Sequence, residues 1–107
     1  MSERPLLLAI DASTTSLRAI AFDHQGNVVA SGRATLAVEN PGPGAYEQDA
    51  ETWWTSCRSA IQQVLEELPA DRRNDLTALT IAHHRETVVV TDARGTPLAR
   101  ALLWMDS

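Results

Sequence analysis

The sequence predicts an α/β domain that opens with antiparallel strand pairs. Three observations carry this reading: short apolar runs bounded by turn residues, one long stretch with helical spacing, and the order in which they fall. That order is strand, strand, strand, helix, strand, strand, strand. Strict alternation of strand and helix, the mark of a dinucleotide-binding fold, is missing. With 107 residues the chain can bury one core. A hydrophobic fraction of 44% beside 21% charged residues argues for a folded segment and against disorder.

Leu6–Ile10 is a short apolar run with nothing polar in it and reads as a buried strand. Ala19–Phe22 reads as the second strand, and Asp23-His24-Gln25-Gly26 turns it into Asn27–Ala30, the third. Asn40-Pro41-Gly42-Pro43-Gly44 is the strongest breaker in the chain and is expected to be loop throughout. Asp49 stands where a helix N-cap belongs, with Glu51 placed against the helix dipole in the first turn. From there Trp54, Cys57, Ile61, Val64, Leu65 and Leu68 fall at helical spacing, which predicts one apolar face ending at Pro69 and puts Trp54 and Cys57 in the core. Ala70–Asp75 reads as a polar connection and Leu76–Ala82 as a buried strand. Val88–Thr91 and Thr96–Ala99 flank a second turn, Asp92-Ala93-Arg94-Gly95, and Ala101–Trp104 reads as the last strand. The two turns share Asp-x-x-Gly-x-x-x-Ala. A chance match of common turn residues is the preferred explanation, although two similar hairpins also fit a sheet built from strand meanders.

Composition excludes several classes of function. The net charge is −5 and the chain has no lysine, so it carries no electrostatic footprint for nucleic acid. No apolar stretch is long enough to cross a membrane, and the few apolar residues after Met1–Pro5 are too short for a signal-peptide core. The single cysteine, Cys57, rules out an internal disulfide and fits a reducing compartment, so a cytoplasmic location is expected. The chain stops directly after an apolar segment, Leu102-Leu103-Trp104, and is expected to be the N-terminal part of something longer.

Two constellations carry chemistry. The first strand delivers Asp11 into a turn with four hydroxyls, Ser13, Thr14, Thr15 and Ser16, followed by Arg18. Ser and Thr are common turn formers, and that alone would account for some of them. A strand-end carboxylate beside them adds a way to hold Mg²⁺ through water, while hydroxyls and backbone N–H groups donate to phosphate oxygens. The second constellation is His83-His84-Arg85-Glu86-Thr87, directly after a strand. Arg85 offers a fork of donors and Glu86 offers acceptors, a combination that suits a polyol, and Trp104 could wall a sugar's C–H face. Pairing of Arg85 and Glu86 with other surface charges is the plainer alternative. His83 and His84 are adjacent, face opposite sides of a strand and make a poor metal pair. His24, in a turn, reads as solvated.

Taken together, these stretches resemble the N-terminal part of the FGGY family of carbohydrate kinases, which includes glycerol kinase and xylulose kinase. Asp11-Ala12-Ser13-Thr14-Thr15-Ser16-Leu17-Arg18 resembles the family's phosphate loop, Asp-x-Gly-Thr-Thr-Ser-x-Arg. Residues 41–49 with Trp53-Trp54 resemble its lead into the first long helix. His84-Arg85-Glu86-Thr87 resembles the Gln-Arg-Glu-Thr segment of glycerol kinases, and Leu103-Trp104-Met105-Asp106 resembles a W-x-D-x-R segment cut off before its arginine. The resemblance implies an actin-like, ribonuclease-H-like ATPase fold, here a partial N-terminal domain with a mixed sheet and one long helix. It implies ATP and Mg²⁺ as cofactors, with Asp11 near the metal and Thr14, Thr15, Ser16 and Arg18 along the phosphates. It places His84, Arg85, Glu86 and Trp104 against a small sugar or polyol, whose hydroxyl receives the γ-phosphoryl group. The family's general-base aspartate would lie beyond residue 107, so no catalytic residue is expected in this chain and the segment alone should be inactive. A homodimer of the full-length protein is left open. Ser13 stands where the family has Gly, and His84 where glycerol kinases have Gln. A non-catalytic actin-like nucleotide-binding module and a degenerate kinase relative are the alternatives.

Overall fold

The structure, a computed structural model, describes residues 4–83, 87, 89–103 and 105. Its main sheet joins β1 (Leu6–Ala12), β2 (Ser16–Asp23), β3 (Val28–Thr35) and β6 (Leu76–His83) in the order β3-β2-β1-β6. β1–β2 and β2–β3 are antiparallel hairpin pairs, and β6 returns parallel to β1 after the helix α1 (Glu51–Glu67). The sheet is therefore mixed, as expected, with one long helix. A smaller sheet joins β4 (Glu39–Gly42), β5 (Ala45–Gln48) and β7 (Ala101–Leu102) in that order.

Alternation along the first strands decides what is buried. Leu6 and Ile10 of β1, Leu17, Ala19 and Ala21 of β2, and Ala30 of β3 turn to the face that α1 covers. Ala60, Val64 and Leu68 of the helix and its end meet them there. At the crossing β3 carries Gly32, and any Cβ there would meet the Ala60 carbonyl oxygen and lie 2.7 Å from Gln63 Cβ. Glycine thus lets the helix backbone sit directly on the sheet.

The same crossing closes the outer edge of β3. Gln63 Nε2 donates to the Arg33 carbonyl at 2.9 Å while its Oε1 accepts from the Arg33 N–H at 3.0 Å. Glu67 Oε2 accepts from the Ser31 N–H at 3.3 Å. Helix side chains take up backbone groups that a neighbouring strand would otherwise use.

The helix begins one residue later than Asp49 as N-cap would have it: Ala50 holds the N-cap position without a side-chain cap, and Asp49, one residue before it, accepts from the Glu51 N–H through Oδ1 at 3.0 Å. It ends at Leu68, which the following Pro69 holds in extended conformation. Its buried face differs from the expected one by a residue. Trp53, Cys57, Ala60, Ile61, Val64 and Leu68 face the core, whereas Trp54 is 62% exposed and lies 6.0 Å from Arg58 across the helix surface. Of two adjacent tryptophans, the inward one also donates its indole N–H to a buried acceptor, Gln48 Oε1. Cys57 packs partly buried against this core, and burial pushes its thiol up, away from the reactive thiolate.

Three further expectations are corrected. Residues 40–44 are not loop throughout: β4 and β5 form a hairpin in which Pro43-Gly44 is the turn and Gly44 takes φ 76°. Pro41 is tolerated because β4 is an edge strand. β6 is a strand but not a buried one, with Leu79 and Ile81 59% and 58% exposed, because α1 lies over β2 and β3 and not over β6. The last strand is only Ala101–Leu102, paired with β5; Trp104 lies outside the described residues.

The two Asp-x-x-Gly turns turn out to be one device used twice. Asp23 and Asp92 each donate their N–H across the turn, to Asn27 and Thr96 carbonyls, and accept from Gly26 and Gly95 N–H. Each Oδ1 takes two more N–H groups, those of Gln25 and Asn27 or of Arg94 and Thr96. Gly26 and Gly95 sit at φ 84° and 83°. The second hairpin is short, with the Thr91–Pro97 bridge and the Leu98-to-Val90 bond as its pairing among the described residues.

At Asp23 these donors, the Asn27 N–H foremost, hold the carboxyl below its ordinary value. A carboxyl depressed in the folded chain stabilises the fold above its ordinary value, and that contribution is lost as pH falls through the depressed one. Replacing Asp23 with Ala should therefore destabilise the protein near neutral pH, with the difference from wild type shrinking in acid. Urea unfolding of both proteins from about pH 7 to about pH 2 measures this. A difference that stays constant across the range would contradict it.

Candidate phosphate-binding site

The β1–β2 register places Asp11 directly opposite Arg18, and the β2–β3 register places Arg18 opposite Arg33. Cross-strand partners share a face, so all three project from the side of the sheet that α1 leaves uncovered. Arg18 Nη2 lies 2.7 Å from Asp11 Oδ2, and Ser13 Oγ lies 3.4 Å from Oδ1. Both partners are substantially exposed, with side chains 52% and 35% accessible, so the pair contributes little to stability. It can be exchanged for other partners at small cost.

Between the strands the turn is held from inside, through its carbonyl oxygens. Ser16 O accepts from the Ser13 N–H at 2.9 Å and Thr15 O from the Leu36 N–H at 2.8 Å. Thr14 O accepts from Gln48 Nε2 at 2.7 Å. Gln48 is fully buried and its Oε1 takes the Trp53 indole N–H at 3.0 Å. A trans peptide points its N–H opposite its C=O. With the Thr14 carbonyl drawn inward, the Thr15 N–H turns outward; Thr15 is exposed and this N–H has no partner among the described residues. An outward N–H, neighbouring hydroxyls and an arginine make a concavity suited to an anion.

A cavity of about 240 Å³ opens beside the turn. Ala12, Ser13, Leu17, Leu36 and Trp53 line it. His83 and Thr87, which bracket residues 84–86 in the sequence, line it as well. Thr87 Oγ1 is buried there with no partner among the described residues. The turn and the boundaries of the second constellation thus share one cavity. His84, Arg85, Glu86 and Trp104, expected on a substrate, lie outside the described residues.

Among the described residues no three His, Cys, Asp or Glu side chains converge on a common point. The donor set at Asp11 is a single exposed carboxylate, which fits a cation kept inside its own water shell and not one stripped of it. Sequence reasoning found Asp11, Ser13 and Arg18, whose side chains the structure brings together, with Thr14, Thr15 and Ser16 in the same turn, and missed what Gln48, Leu36 and Trp53 do behind them. Gln48 figured in the sequence only as a member of the 41–49 stretch that leads into the helix, a signal that says nothing of what its side chain touches.

Comparison with known proteins agrees with this geometry. Residues 6–107 match the FGGY family of carbohydrate kinases, N-terminal domain. The chain is 41% identical over 107 residues to a glycerol kinase of Deinococcus radiodurans, covering 99% of this chain and 21% of that protein. It is 42% identical over 101 residues to a glycerol kinase of Acinetobacter baylyi, covering 94% and 20%. In structure it is similar to a xylulose kinase from Brucella ovis, with TM-score 0.87 and 28% identity over 94% of this chain and 21% of that one. The chain spans about a fifth of the length of the curated relatives it matches. No helix among the described residues is long and apolar enough to cross a membrane. A strand-end aspartate facing an arginine across a hydroxyl-rich turn, on a mixed sheet that overlays a sugar kinase, agrees with the sequence match over nearly every residue: the chain belongs to the FGGY family of carbohydrate kinases.

Proposed function

We propose that this chain is the N-terminal part of an ATP-dependent carbohydrate kinase that moves the γ-phosphoryl group of ATP to a hydroxyl of a sugar or polyol. The observation that carries this reading is the Asp11–Arg18 pair set across a turn whose Thr15 N–H faces outward. Phosphoryl transfer asks a protein for positioning and charge neutralisation more than for covalent help. Arg18, freed from Asp11, reaches for phosphate oxygens, and the hydroxyls of Thr14, Thr15 and Ser16 with the Thr15 N–H donate to them. Asp11 would hold a hydrated Mg²⁺, which would supply neutralisation of the phosphate charge.

The curated relatives named above are glycerol kinases, which makes polyols the first substrates to try. Arg85 and Glu86 are assigned to the acceptor's hydroxyls and Trp104 to its carbon face, with His84 beside them. The general base belongs to the longer protein, in the cytoplasm, and this segment supplies one wall of the cleft.

The test is a screen of the full-length protein with ATP–Mg²⁺ against glycerol, other polyols, pentuloses and hexuloses. Turnover of at least one acceptor is expected, with none from the 107-residue segment alone. Absence of turnover across the panel, or turnover by the segment, would reject the assignment.

A further inference from the structure

We infer that Gln48 is a positioning residue for the phosphate-binding turn, setting the direction of the Thr15 N–H and through it the affinity for nucleotide. This rests on the proposed reading of the turn as the nucleotide's phosphate site. Gln48 reaches the turn from β5, in the smaller sheet, 34 residues along the chain from Thr14. It is the buried polar residue of the core among the described residues, and its amide is used at both ends. Nε2 donates to Thr14 O and Oε1 accepts from Trp53 Nε1, which fixes the orientation of the amide.

An amide is needed here because the two groups it serves are of opposite kind, one acceptor and one donor. An aliphatic side chain of the same size would leave the Thr14 carbonyl facing the interior unbonded, which is costly for a buried acceptor. The 14–15 peptide relieves that cost by rotating its carbonyl toward water. Rotation carries the Thr15 N–H inward, because the two groups are fixed on opposite sides of one plane. The turn then presents a carbonyl oxygen where a phosphate oxygen must bind. A residue that never touches the nucleotide thereby decides whether the turn attracts or repels it.

The test compares Gln48→Leu with Val64→Ala in the full-length protein. Val64 is a fully buried core residue of α1 away from the turn, so its truncation reports what destabilisation alone does. Gln48→Leu should raise KM for ATP about tenfold, the loss of roughly one hydrogen bond to a charged group, while KM for the acceptor moves less than about twofold. Val64→Ala should move neither. Amide exchange supplies an arm independent of activity: Ser13 and Leu36 N–H, whose bonds close the turn, should exchange about tenfold faster in Gln48→Leu, with α1 unchanged beyond its first turn, where Trp53 also loses its partner. An ATP KM that shifts no more than in Val64→Ala, or exchange that rises throughout the protein, overturns the inference. If the wild type phosphorylates nothing, the kinase reading fails, and exchange confined to the turn still decides whether Gln48 positions it.

Discussion

Exchanging Asp11 for Asn in the full-length protein should lower kcat for phosphotransfer by about a hundredfold or more, while leaving the melting temperature nearly unchanged. The two halves of this expectation come from one observation. The Asp11–Arg18 pair is short, at 2.7 Å, yet both side chains are open to water, so screening and side-chain entropy leave it worth only about 0.2–1 kcal/mol. An amide can still accept from Arg18 and keep the strand pairing intact. It cannot supply the negative charge that the role proposed for Asp11 requires, that of holding a hydrated divalent cation beside the phosphates. Steady-state kinetics with a melting curve on the same preparation checks both. Retention of full turnover would remove Asp11 from its assigned role, and a large fall in stability would show the pair to be structural.

The largest effect on stability is expected at Gly32→Ala. The added methyl has no direction in which to escape: the helix carbonyl of Ala60 stands over it and Gln63 Cβ lies 2.7 Å away. Relief requires α1 to move off the sheet, which loosens the contacts of Ala60 and Val64 with Ala19, Ala21 and Ala30. Overpacking of this kind costs roughly 2–3 kcal/mol. It should appear as a lower denaturant midpoint with an unchanged slope, since the same surface is exposed on unfolding. A midpoint within error of wild type would mean that the helix is free to slide, contrary to the close crossing described here.

How much of this was legible in the sequence differs from element to element, for physical reasons. The β1–β2 turn was legible because its chemistry is local: a carboxylate, four hydroxyls and an arginine within eight residues. The register that sets Asp11 against Arg18 then follows from a short turn between pleated strands. Periodicity marked the helix but not its phase, since Trp53 and Trp54 are equally apolar and only the buried acceptor on Gln48 selects between them. β4 and β5 were hidden by Pro41, Gly42, Pro43 and Gly44, whose breaker signal belongs to a two-residue turn with very short strands on either side. β6 reads as buried from its own residues, and nothing within Leu76–Ala82 tells how far α1 extends across the sheet. Gln48 was illegible for the opposite reason. Its role depends on Thr14 and Trp53 together, which only folding brings to the same place.

Gln63 and Glu67 have a further consequence for how this sheet can be enlarged. Along β3 their side chains imitate a neighbouring strand, so the sheet is terminated on that side by the chain's own helix. At the opposite end β6 is the outermost strand, and its Leu79 and Ile81, paired with Leu8 and Ile10, lie on the helix-bearing face but beyond the reach of α1. Growth of the sheet is therefore unidirectional: a strand added from anywhere must dock beside β6, as a brick is laid only on the open end of a wall.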